Sequence, residues 1–192
     1  MKKFIVLTVA LVFMSTSAFA IIAGSSHDFN GWAPQNQTCA PCHTPHNAIS
    51  TSIPLWAHTT TAETFTNYTS STMNGTSAVG AGSISQACLS CHDGETAMDS
   101  FVGGPAVPSV VMGAVTGNLG TALGDDHPIG FDYAAVQVIE GAGGLNAAIS
   151  LPLFGGNLEC ATCHDVHNQT AFPSMLNLTL ANSALCTECH VK

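Results

Sequence analysis

Apolar and polar positions along the 192-residue chain rarely follow a helical or strand period for long. The apolar run Phe4–Met14 stands between Lys2-Lys3 and the small residues ending Ala18-Phe19-Ala20. That pattern predicts a secretory signal peptide over residues 1–20, its apolar run too short for a membrane span. A second apolar stretch, FVGGPAVPSVVMGAVTGNLGTALG (101–124), is broken by Gly103, Gly104, Pro105 and Pro108 and lacks basic flanks. It predicts irregular chain lying against something flat and apolar, not a span. YAAVQVIEGAGG (133–144) alternates near Val136–Ile139 and predicts a short strand or helix that its glycines end. NSALCTECH (182–190) predicts a turn or two of C-terminal helix capped by Asn182 or Ser183. Too little of the chain is periodic to build a conventional protein-only core.

Removing residues 1–20 leaves 172 residues, enough for one domain over 21–192. Of the three basic residues only Lys192 stays, against twelve acids, for a net charge of −11. Nucleic acid and anionic membranes are held by Lys and Arg, so both are excluded as partners.

All eight cysteines fall into one pattern. CAPCH supplies Cys39, Cys42 and His43, and CLSCH supplies Cys88, Cys91 and His92. CATCH supplies Cys160, Cys163 and His164, and CTECH supplies Cys186, Cys189 and His190. This is the attachment signature of c-type haem. Positions i and i+3 share one face of a helical turn, so both sulfurs meet the two vinyl groups of one haem edge. The next histidine then offers a nitrogen to the iron. Zinc sites also use C-x-x-C, but zinc chemistry does not require histidine at the following position each time. A C-x-x-C disulfide is a tight loop typical of redox enzymes. With histidine at 9 of 192 positions, four chance placements have odds of roughly several in a million. Four covalently bound haem c groups are expected.

Five histidines remain for the distal faces: His27, His46, His58, His127 and His167. His46 (CHTPH) and His167 (CHDVH) each lie three residues after a proximal histidine. Nitrogens so close in sequence cannot reach opposite faces of one iron, so each is expected to serve a neighbouring haem, which demands close haem packing. His27, His58 and His127 compete for two further places. Pro128 biases His127 toward extended backbone, His27 lies near the expected mature N-terminus, and His58 precedes a polar threonine run. Met73, Met98, Met112 and Met175 are alternative ligands that would raise a potential.

SHDF, CAPCHTPHNA, PLWAH, CLSCHDG, DDHPIGFDY, CATCHDVH and NSALCTECH run in order through nearly the whole chain after residue 20. In these the chain resembles small exported tetrahaem cytochromes with doubled C-x-x-C-H motifs. The resemblance implies bis-histidine ligation, which assigns His27, His46, His127 and His167 as distal ligands and leaves His58 spare or serving an iron across a subunit contact. It extends to tetrahaem subunits that polymerise into conducting extracellular filaments, some sharing a histidine between subunits. The expected fold is a mostly irregular multihaem cytochrome c. It has few short helices (the C-x-x-C-H turns and a C-terminal helix), little strand, and a core of four closely packed haems. With 43 residues per haem, the porphyrins form much of the apolar interior. Six-coordinate iron leaves no position for a substrate, so the expected role is electron transfer and not catalysis. The expected partners are redox proteins, extracellular acceptors or further copies of the chain, in the periplasm or outside the cell. The competing readings are a soluble periplasmic carrier and a reductase with one open haem.

Overall fold

The computed structural model describes residues 22–31, 33, 36–50, 53–141, 143–167 and 172–191. The expected signal peptide and Lys192 lie outside these residues. The longest helix among the described residues, α1 (Ile84–His92), carries the second C-x-x-C-H motif. Ser83, in extended conformation, starts it by accepting the Gln86 N–H at 3.1 Å. Ser85, Ala87, Leu89 and Ser90 are buried along it.

The stretch that alternates near Val136–Ile139 is helical: α2 (Tyr133–Glu140). The Asp132 carboxylate accepts the Ala135 N–H at 2.9 Å, and Gly141, at φ 70°, ends the helix. Two single-turn elements carry the last motifs, α3 (Cys160–Cys163) and α4 (Ala184–Cys189). Ser183 occupies the cap position of α4 but makes no side-chain cap bond. Asn182 and Ser183 both adopt left-handed backbone, with φ of 54° and 59°, instead of the extended conformation from which a capping oxygen reaches the first turn.

Among the described residues, strand is confined to two-residue pairs. β1 (Thr66–Asn67) runs parallel to β2 (Ala122–Leu123), and β3 (Phe131–Asp132) runs antiparallel to β4 (Asn157–Leu158). Close approach of loops takes the place of longer ladders. Gly130, at φ 72°, sits against Ala78, whose carbonyl oxygen would lie 1.6 Å from any Cβ there. Glycine therefore lets Ala78 N–H reach the Ile129 carbonyl and Gly130 N–H reach that of Leu158.

Residues 101–124 are irregular apart from β2. Their path is fixed by Asp99, whose carboxylate accepts the N–H groups of Ser109 and Val110, and Val107, Val110, Val111 and Val115 stay exposed. Among the described residues no helix is long and apolar enough to cross a membrane. Among the described residues, six of the buried apolar side chains gather into two small clusters. One holds Ile53, Trp56 and Ala87 with Cys42 and Ile84 against it. The other holds Tyr133, Leu145 and Leu158, with Cys189 among the residues packed on it. Each cluster thus abuts a motif cysteine.

Candidate haem-binding site

The four motifs share a local geometry. In motifs 1, 3 and 4 the histidine N–H closes a turn onto the carbonyl of the first cysteine, at 2.8 Å for His43–Cys39, 3.0 Å for His164–Cys160 and 2.9 Å for His190–Cys186. The chain then becomes extended, and each histidine joins an isolated antiparallel bridge: His43 with Trp56, His164 with Leu176, His190 with Leu145. Motif 2 differs, because α1 continues through His92 and ends at Asp93. In motifs 1, 3 and 4 the histidine is thus pinned by a single bridge to a residue outside the motif.

The ring nitrogens give the sharper information. Nδ1 of His43 lies 3.0 Å from the Pro54 carbonyl oxygen, that of His92 2.5 Å from Gly117, and that of His164 2.9 Å from Ser174. His127 Nδ1 lies 2.9 Å from the Pro128 carbonyl. An imidazole that donates Nδ1–H to a carbonyl keeps Nε2 as a lone pair, which is the state a metal ligand needs.

Three pairs of histidine rings lie close together, one tilted, one stacked and one T-shaped. His27 and His92 have centroids 5.9 Å apart, His43 and His167 6.0 Å, and His127 and His190 6.3 Å. Two imidazoles bound to one metal from opposite sides, with metal–nitrogen bonds of about 2 Å, stand with centres about 6 Å apart. The spacing of each pair matches one iron between two imidazoles, which would require both Nε2 atoms to turn toward it. His27 Nδ1 is buried without a hydrogen-bond partner, an arrangement that calls for a missing group nearby. Burial, then the nearby rings of His92, His164 and His167, holds the His27 imidazole below its ordinary pKa and so keeps it neutral. His46 is exposed just after motif 1, its carbonyl accepting the Thr44 hydroxyl.

His58 behaves differently from all of these. It is 1% exposed, with Nδ1 2.7 Å from the Thr59 carbonyl and Nε2 3.1 Å from that of Met98. Cys91 Sγ lies 3.5 Å from the same Nε2. A neutral imidazole carries a single N–H, so only one of these two carbonyls accepts from it; with Nδ1–H on Thr59, Nε2 keeps its lone pair beside Cys91. His58 belongs to a connector, PLWAH, whose Ala57 N–H donates to the Cys42 carbonyl and whose Trp56 stands edge-on to His43. That connector ties motif 1 to motif 2.

Sulfurs of successive motifs lie near one another. Burial pushes the Cys91 thiol up to about 12, with Cys42 and then Asp93 adding to it. Cys88 shares a hydrogen bond with Cys160, which raises the Cys88 thiol and lowers that of Cys160. Burial followed by the proximity of Cys189, Cys160 and Cys186 pushes Cys163 up to about 11. Motif 1 therefore adjoins motif 2, motif 2 adjoins motif 3, and motif 3 adjoins motif 4. No three His, Cys, Asp or Glu side chains converge as a metal cage among the described residues, unlike a closed four-ligand zinc site.

No curated protein matches this chain. The family model described as the doubled CXXCH motif matches residues 152–192, which span motifs 3 and 4. C-x-x-C-H motifs bind haem c covalently, and their doubling supports a multihaem c-type cytochrome for electron transfer.

Proposed function

We propose that the chain is an exported tetrahaem cytochrome that passes electrons along four bis-histidine haems and performs no catalysis of its own. The observation that carries this reading is the pairing of rings at about 6 Å, each pair joining a motif histidine to a histidine from elsewhere. His27 pairs with His92, His167 with His43 and His127 with His190. His46 and His164 form the fourth pair by elimination. Haem iron supplies reversible one-electron chemistry. The chain's residues do the rest. Eight cysteines anchor, and carbonyls at Pro54, Gly117, Ser174 and Pro128 hold Nδ1–H so that Nε2 stays a donor. Full histidine ligation closes the position a reductase would use. The nearness of sulfurs from different motifs supports electron passage between neighbouring haems.

The signal-like residues 1–20 support export, to the periplasm or beyond the cell, where redox proteins or extracellular acceptors would exchange electrons with the chain. Its resemblance to filament-forming subunits makes self-assembly the arrangement to examine by negative-stain microscopy of the secreted protein. The test of the reading is the intact mass and the ferric spin state of the purified holoprotein. Four haem masses above the processed polypeptide, with low-spin iron alone, are expected. Fewer haems with free thiols, or a substantial high-spin signal with rapid carbon monoxide binding, would overturn it.

A further inference from the structure

Three carboxylates are buried: Asp93 at 1% exposure, Glu159 at 3% and Asp99 at 9%. The described residues contain no Lys or Arg, the only basic residues being Lys2, Lys3 and Lys192. A buried charge without a counter-charge is costly, so each carboxylate needs donors or a cation. Asp93 is well supplied. Burial pushes its carboxyl up, but the Thr61 and Thr96 hydroxyls and the N–H groups of Thr96 and Glu95 outweigh this and hold it below its ordinary value. Asp99 accepts from Ser109 and Val110. Glu159 takes both the N–H and the hydroxyl of Ser85 on a single oxygen, Oε2.

The place of Glu159 matters as much as its burial. It precedes Cys160, and the Ser85 hydroxyl that donates to it accepts the Cys160 N–H at 3.0 Å. Ser85 stands one helical turn before Cys88, and Cys88 and Cys160 share a hydrogen bond. The carboxylate therefore lies where α1 crosses α3, beside the sulfurs of two motifs.

We propose that Glu159 is the internal counter-ion of the haems on motifs 2 and 3 and sets their potentials low. This rests on the reading that both motifs carry haem. A ferric haem core bears one net positive charge and a ferrous core none, so a fixed buried anion favours the ferric state. In a chain without internal Lys or Arg, the haem is the cation available to this carboxylate.

The test is a redox titration of the holoprotein resolved haem by haem by paramagnetic NMR, with Glu159→Gln and Glu159→Asp compared with the parent. Glu159→Gln is expected to raise the ferrous-to-ferric ratio of haems 2 and 3 about tenfold at fixed potential, a midpoint rise of about 59 mV for a one-electron couple. Haems 1 and 4 should move little, and Glu159→Asp should stay near the parent. Unchanged potentials, an equal shift at all four haems, or the same shift in the Asp variant would overturn the assignment. Should Glu159→Gln fail to mature, infrared redox-difference spectra of the parent with labelled glutamate serve instead. A carboxylate band that responds to reduction of haems 2 and 3 is expected, and a silent one sinks the idea. Intact mass reports separately on the haem reading, so four haems with unmoved potentials would refute the counter-ion alone.

Discussion

Motifs 2 and 4 are the same attachment chemistry in unlike surroundings. Motif 2 closes a nine-residue helix capped by Ser83, with four residues buried along it and a half-buried ring neighbour, His27. Motif 4 sits in a six-residue turn with no buried residue, an uncapped left-handed start, and exposed Cys186, His190 and His127. The contrast separates two jobs. The five-residue motif fixes where a haem attaches, and the packing around it fixes how much water, charge and strain that haem meets. Motif 2 is built into the molecule's centre, whereas motif 4 is laid on its surface against the Tyr133–Leu145–Leu158 cluster through Cys189.

The largest expected effect concerns ligands. His27→Ala at motif 2 and His127→Ala at motif 4 should each convert one haem from low to high spin, read by electron paramagnetic resonance of the ferric holoprotein. His58→Ala should leave every haem low-spin while lowering stability, because it removes the buried donor to the Thr59 carbonyl. A high-spin haem in His58→Ala would erase the distinction drawn between these histidines.

Packing comes next. Leu89, 1% exposed on α1, should cost about 3 kcal/mol when replaced by alanine. Leu180, 62% exposed just before α4, should cost under about 0.5 kcal/mol. Denaturant unfolding of the holoprotein variants measures both, and equal losses would remove the contrast between centre and surface.

The caps give a smaller difference. Ser83→Ala should cost about 1 kcal/mol through the lost bond to the Gln86 N–H. Ser183→Ala should change stability by no more than about 0.3 kcal/mol, since its hydroxyl makes no cap bond.

Acid titration gives the finest comparison. The Asp93 carboxyl is held below its ordinary value in the folded chain, so it contributes stability above the unfolded carboxylate range. That contribution is lost as pH falls through the folded value, because protonation then favours the unfolded chain. Asp93→Asn should flatten the acid limb of stability against pH. Glu188 in motif 4 is also held down, by Ser150, but it is solvent-exposed and screened. Glu188→Gln should leave the limb nearly unchanged.

Much of this was legible in the residues because attachment chemistry is local. Four C-x-x-C-H motifs, and the argument that His46 and His167 cannot serve their own irons, need only a short window of sequence. His167 does stand beside His43, a motif more than a hundred residues away. The burial of His58 was not legible, because the Met98 carbonyl beside its Nε2 lies forty residues on. A helical turn at Cys88–His92 is legible in its motif, but the extension of α1 back to Ile84 is not, because Ser83 emerges from a Gly- and Ser-rich stretch in which one more serine carries no signal. Its side chain becomes a cap only through the backbone geometry there. Ser183 was overrated for the converse reason: residue type suited a cap and backbone conformation did not. The buried carboxylates were likewise invisible, since Glu159 finds Ser85 seventy-four positions away.

The most direct test of the central claim is an experimental map of the holoprotein with the iron positions fixed by anomalous scattering. The expected result is four irons, placed between His43 and His167, His92 and His27, His164 and His46, and His190 and His127, with His58 bound to none. An iron ligated by His58, or one of these four pairs without an iron between its rings, would contradict the account.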